Sequence, residues 1–146
     1  MFFGGKKILP TKKGIFQRYV INEPKVFSKV KLTRSSKDKM MVQMPSHLPP
    51  ELSDIILKID YLGGSAEALI GGKIATDNPF NGTAWMFGLK RYLKQLPEKG
   101  IEFHVFPWSD KITGVPDSLV NLLKNEPAEI GSVKIIPQYC AKVRIE

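Results

Sequence analysis

Between residues 78 and 85 the chain reads "NPFNGTAW", which places two amides, Asn78 and Asn81, beside two rings, Phe80 and Trp85. Sugars present apolar C–H faces that stack on aromatic rings, and amides match their hydroxyls, so this mixture of types could hold a saccharide. The same residues also suit a structural task. Trp85 and the nearby Phe87 can plug the end of a two-sheet core while Asn81-Gly82 turns the chain, because large rings dominate core burial. Residue types alone favour the anchor over the ligand site.

Other chemistries find less material. Hydrolysis by paired carboxylates needs two acids about 5–5.5 Å or about 6.5–9.5 Å apart. Asp60 and Asp77 are separated by a hairpin and could approach one another, but Asp60 reads as facing solvent or tying a neighbouring loop. Asp77 reads as opening an Asx turn before Pro79. Neither is assigned to catalysis. Cys140 is the single cysteine, which excludes an internal disulfide, and with His47 and His104 far apart it offers no zinc-site spacing. No serine lies in a nucleophile elbow or at a fixed offset from a base. His104 alternates with core residues on a strand and His47 sits in a Pro-rich connector, so both read as structural. No catalytic residue, metal or cofactor is expected.

The elements that position these residues are strands. In "IILKIDY", Ile55, Leu57, Ile59 and Tyr61 point one way while Ile56, Lys58 and Asp60 point the other. "IEFHVFP" sets Ile101, Phe103 and Val105 on one face, and "YCAKVRIE" sets Tyr139, Ala141, Val143 and Ile145 on one face. Strict alternation of this kind marks strands with one buried side. "VFSKVKL" (Val26 to Leu32) and "MMVQM" (Met40 to Met44) follow the period more loosely. The Gly71-Gly72 pair predicts a two-residue hairpin between strands running from about Glu67 to about Thr76, since such turns need positive φ. Two stretches suggest helix: "GLKRYLKQL", through Leu89, Leu93 and Leu96, and "PDSLVNLLK", where Asp117 or Ser118 could cap a short turn. Many short, evenly spaced strands predict an all-β, antiparallel β-sandwich of jelly-roll type with one or two short helices.

At 146 residues the chain has the length of one domain, enough to bury roughly 68–70% of the surface its unfolded form exposes. Hydrophobic content of 42% and charged content of 25% are ordinary for a globular chain. No apolar run approaches the roughly 20 residues of a spanning helix, and "MFFGGKKILP" lacks the apolar stretch of a secretory signal, so no membrane partner is expected. The compartment stays open, and the abrupt start suggests a piece of something longer. The net charge of +8 is uneven: residues 1 to 39 carry 11 Lys or Arg against two acids, leaving 11 against 12 in the remainder. This divides the chain into a basic segment, 1–38, serving as strands or a docking extension of the same domain, and a main domain, 39–146. Lys6, Lys7, Lys12, Lys13, Lys29, Lys31, Arg34, Lys37 and Lys39 could attract phosphates or an acidic surface. They are not interleaved with base-stacking aromatics, so nucleic acid is the less favoured partner.

The stretch "LKIDYLGGSAEALIGGKIATDNPFNGTAWMFGLKRYL" resembles the C-terminal galactose-binding-like jelly-roll domain of bacterial β-galactosidases of glycoside hydrolase family thirty-five and related glycosidases. The matching residues are Asp60, Tyr61, Gly63, Gly72, Lys73, Phe80, Asn81, Gly82, Trp85, Gly88, Leu89, Lys90 and Arg91, and "GSVKIIPQYCAKV" is similar to the family's last strands. The resemblance covers about residues 39 to 145. Two positions depart from the pattern: Gly71 stands where Asn is more frequent, and Met86 where a polar residue commonly follows the tryptophan, which weakens a polar site beside Trp85. The family's catalytic barrel with its paired glutamates has no counterpart here. The resemblance therefore implies a non-catalytic accessory domain whose partner is the catalytic domain of a glycoside hydrolase, met through the basic segment. The alternative is a free-standing carbohydrate-binding module using Asn78, Phe80, Asn81 and Trp85. A basic nucleic-acid binder and an independent enzyme rank below both.

Overall fold

Branched aliphatic residues at every second position make Leu52–Leu62 an eleven-residue strand whose Ile55, Leu57, Ile59 and Tyr61 are buried. In the computed structural model, which describes residues 1–3, 6–22, 30–50 and 52–142, this strand, β7, is the middle of a three-stranded antiparallel sheet. Its neighbours are β10 (Trp85–Gly88) and β12 (Glu129–Tyr139). A five-stranded antiparallel sheet runs in the order β5 (Lys31–Arg34), β6 (Lys39–Gln43), β11 (Ile101–Phe106), β8 (Ser65–Ile70) and β9 (Lys73–Pro79). Both sheets contribute to one hydrophobic core: Met40, Val42, Ala68, Phe103 and Val105 come from the five-stranded sheet, and Leu57, Ile59, Trp85, Phe87 and Ile130 from the three-stranded one. The fold is all-β with antiparallel pairing, as the alternation predicted.

Two smaller ribbons stand apart. β1 (Phe2–Phe3) pairs with β2 (Lys6–Lys7) on one side and with β13 (Ala141–Lys142) on the other, so the first residues lie against the last described ones. β3 (Thr11–Lys13) and β4 (Phe16–Arg18) form a two-stranded ribbon in which every strand residue is exposed. Within the basic first 38 residues, β5 adds an edge strand to the large sheet. It is exposed at all four positions, and its Lys31 and Arg34 suit an edge that must not pair with another chain. Arg34 also ties the two sheets, its Nη2 donating to the Ile130 carbonyl at 2.7 Å.

The Gly71-Gly72 turn forms as its composition requires. Both glycines have positive φ, 58° and 75°, and Ile70 pairs directly with Lys73. Elsewhere the structure corrects local expectations. The Leu89, Leu93, Leu96 spacing does not produce one helix. A 3-10 turn, Lys90–Tyr92, is followed by a separate α1 (Leu96–Lys99) that begins just before Pro97 and ends at Gly100, whose φ is 62°. Proline is accepted in a first helical turn and not further in, so Pro97 sets the start of α1 rather than lying inside a longer helix. Leu89 and Leu96 are nonetheless both fully buried. α2 (Asp117–Leu123) forms where predicted, but neither Asp117 nor Ser118 caps it through a side-chain bond; the residue at the cap is the extended Pro116. The closing stretch is not one strand, because β12 ends at Tyr139, Cys140 interrupts it and β13 resumes with Ala141 exposed. Residues 143–146 lie outside the described residues, as do residues 26–29 of the Val26 to Leu32 strand.

Between β7 and β8, Gly63 passes so close to β11 that an added Cβ would meet Val105 Cγ1 at 2.6 Å and the Phe106 carbonyl oxygen at 2.7 Å. Gly64 fastens this crossing by donating its N–H to the Phe106 carbonyl. Gly63→Ala is expected to destabilise the fold by about 1–3 kcal/mol through overpacking, read as a lower midpoint in urea unfolding.

Candidate functional site

The corner from Asn78 to Trp85 joins the end of β9 to the start of β10, and the structure separates the four candidate residues by task. Trp85 and Phe80 are each only 7% exposed. The indole stacks on Phe87 at 5.6 Å between centroids and meets Phe103 of the opposite sheet edge-on at 6.0 Å. Phe80 packs edge-to-face on Tyr61 at 5.4 Å. Neither ring offers an open face to a ligand in this geometry; both anchor the core. The Asn78 amide donates to the Tyr61 hydroxyl at 2.9 Å, while that hydroxyl donates to the Asn78 carbonyl at 2.8 Å. Asn81 is exposed, and its Oδ1 accepts from the Thr83 backbone N–H at 3.0 Å and from the Thr83 hydroxyl at 2.7 Å. That Asx turn, followed by Gly82 at a φ of 84°, reverses the chain. Asn78, Phe80 and Tyr61 are brought together, Asn81 turns outward, and Trp85 faces the interior.

Tyr61 was not among the candidates, although its place on the buried face of β7 was readable from the alternation. It joins the corner to the central strand. Burial pushes its phenol up to about 12 from the ordinary 10.0, against the smaller opposing effect of the Asn78 amide, which favours the anion.

The carboxylates also hold structure. Asp60 Oδ2 accepts the Ser132 hydroxyl at 2.6 Å and links β7 to β12. Asp77 opens no turn; it lies within β9 directly opposite Glu67 of β8. Asp54 Oδ1 accepts the backbone N–H groups of Ile55 at 2.7 Å and Leu89 at 3.1 Å, fixing the exit of β10. His104 stands 3.5 Å from Glu102 on the outer face of β11, where a small cleft is lined by both together with Ser35, Lys39, Met40 and Met41. Ser46 Oγ lies 3.1 Å from His47 Nδ1, but both residues are exposed and no carboxylate among the described residues orients the imidazole. Among the described residues no group of three His, Cys, Asp or Glu side chains is gathered as a metal site.

Compared with protein-family models, with curated proteins and with solved structures, the chain finds no match.

Two outcomes test this reading of the corner. Trp85→Ala is expected to cost about 3–5 kcal/mol, the range for removing a buried large ring, and to show as loss of the folded baseline in thermal unfolding; Trp85→Phe should cost less. Because the Tyr61 phenol is raised in the fold, its contribution is complete below about pH 10 and is lost as pH rises through about 12. Unfolding midpoints measured across that interval should fall more steeply for the natural chain than for Tyr61→Phe.

Proposed function

We propose that this chain is a non-catalytic jelly-roll module that packs on the catalytic domain of a β-galactosidase-like glycoside hydrolase. The observation that carries the reading is the use to which the residues of the family resemblance are put. Asp60, Tyr61, Phe80, Trp85 and Leu89 bind strand to strand or fill the core, and none presents a reacting group. Connectivity supports the jelly-roll part. The chain passes from β6 in the large sheet to β7 in the small one, back to β8 and β9, across to β10, back to β11 and across again to β12. β11 thereby enters between β6 and β8, and β7 lies between β10 and β12, an order of Greek-key kind.

The packing part has a candidate surface. Residues 1–22 carry Lys6, Lys7, Lys12, Lys13 and Arg18 and no acid. At the turn of the β3–β4 ribbon, Ile15 is 93% and Phe16 72% exposed. A two-stranded ribbon is marginal alone in water, and an apolar tip between cationic stems suits an acidic partner surface with an apolar recess.

The test pairs an assay with an association measurement. The purified chain is expected to leave nitrophenyl glycosides unhydrolysed. An adjoining reading frame should encode a barrel with two paired glutamates, whose product co-purifies with the chain and is released by the double change Ile15→Asp, Phe16→Asp. Hydrolysis by the chain alone would overturn the proposal, as would the absence of such a neighbour.

A further inference from the structure

We infer that Asn81 is a self-modifying site, at which the Gly82 backbone nitrogen closes on the Asn81 side chain, expels ammonia and leaves an aspartyl or isoaspartyl residue in the corner. The inference goes beyond the module reading and does not depend on it.

Closing a five-membered ring between an asparagine Cγ and the next backbone nitrogen needs a proton on that nitrogen, room around it and a carboxamide folded back on the chain. The five asparagines differ on these points. Asn78 precedes Pro79, whose nitrogen carries no proton, and its amide is engaged with the Tyr61 hydroxyl. Asn22, Asn121 and Asn125 precede Glu23, Leu122 and Glu126, whose side chains crowd the nitrogen. Asn81 alone precedes glycine. The corner itself imposes that neighbour. Gly82 has a φ of 84°, which disfavours any residue with a Cβ, and a Cβ added there would meet Leu119 Cδ1 of α2 at 3.2 Å. Gly82 is exposed, and among the described residues its N–H has no hydrogen-bond partner.

The side chain is already folded toward the nitrogen it must meet. Asn81 Oδ1 accepts from the Thr83 N–H at 3.0 Å and from the Thr83 hydroxyl at 2.7 Å, so the carboxamide lies along the Gly82 peptide and not out in solvent. As the ring closes, the Gly82 nitrogen gives its proton to water or hydroxide and bonds to Cγ, while the Cγ=O electron pair moves onto Oδ1. The two Thr83 donors then face the oxygen on which negative charge develops, the arrangement that stabilises an oxyanion. When the pair returns to carbon, Nδ2 takes up a proton and leaves as ammonia. Water next adds to the ring at either carbonyl and cleaves its bond to the Gly82 nitrogen. Cleavage at Cγ gives aspartate, and cleavage at the main-chain carbonyl gives isoaspartate.

The two products treat the corner differently. An aspartate keeps an acceptor for both Thr83 donors, now charged, and lowers the net charge of +8 by one. An isoaspartate routes the main chain through Cβ, which lengthens the link to Gly82 beside Leu119 and loosens the approach to the buried Trp85.

The experiment incubates the purified full chain in mildly alkaline buffer made with heavy-oxygen water and maps its peptides by mass spectrometry. The peptide bearing Asn81 is expected to exchange NH2 for OH, with its new oxygen drawn from solvent, many-fold faster than the peptides bearing Asn121 and Asn125. Thr83→Val keeps the N–H and drops the hydroxyl, and should slow the change several-fold; Thr83→Ser should restore it. Thr83 is exposed, so both variants are expected to fold. In urea, where the turn is lost, Thr83→Val and the natural chain should react alike. An Asn81 peptide modified no faster than the other two overturns the proposal. So does a folded Thr83→Val rate equal to that of the natural chain, or a difference between them that persists in urea. Each of these failures leaves the module reading standing, because that reading asks no reaction of Asn81.

Discussion

The register between β7 and β10 is the constraint on which the rest of this molecule depends. Trp85 sits opposite Ile59 and Phe87 opposite Leu57, so two rings and two aliphatic side chains enter the interior from adjacent strands. There the indole meets Phe103 of the facing sheet. Because side chains alternate with a period of two, a slip by one residue would send Trp85 and Phe87 to water and bring Met86 inward. Asp54 guards against that slip from outside the core, by holding the Leu89 N–H at the end of β10. Once the register is set, the Asn81 turn, the Tyr61–Asn78 pair and the Phe80 contact all have fixed places.

Strands whose burial is periodic are legible in the sequence itself. Ile55 to Tyr61 and Ile101 to Val105 fall on the faces their alternation assigned, and Gly71-Gly72 makes its turn, because these features are set by neighbours in sequence. What was less legible depends on residues far away. The last strand could not be read as broken at Cys140, since its end is determined by pairing with the first residues of the chain. Leu89 and Leu96 carry a helical spacing but are buried by sheet packing, and local chemistry at Pro97 decides where the helix starts. Asp77 looked like a turn residue beside proline, yet the β8 ladder claims it.

The residue types of the candidate corner were legible in the sequence, while the burial of its rings was not. Rings beside amides suggest recognition wherever they occur in sequence, but only burial separates a binding face from a plug. Trp85 and Phe80 are covered, whereas Phe3 and Tyr139, 136 positions apart, meet because β1 pairs with β13. No window of sequence contains that second pair. The asymmetry of charge likewise gains meaning from exposure: the cations of the first 22 residues frame the exposed Ile15 and Phe16.

The order of strands in the two sheets also bears on how the chain comes to be folded. β7 waits for β12, and Arg34 bonds to a residue 96 positions further along. Loop closures of that length make folding slow relative to chains built from local contacts. While the polypeptide is being synthesised, one ladder edge of β7, with its aliphatic row, is without its final neighbour until β12 has followed it from the ribosome. The exposed lysines of the basic segment precede β7 in the chain, and their mutual repulsion opposes the sticking of one incompletely folded chain to another during that interval.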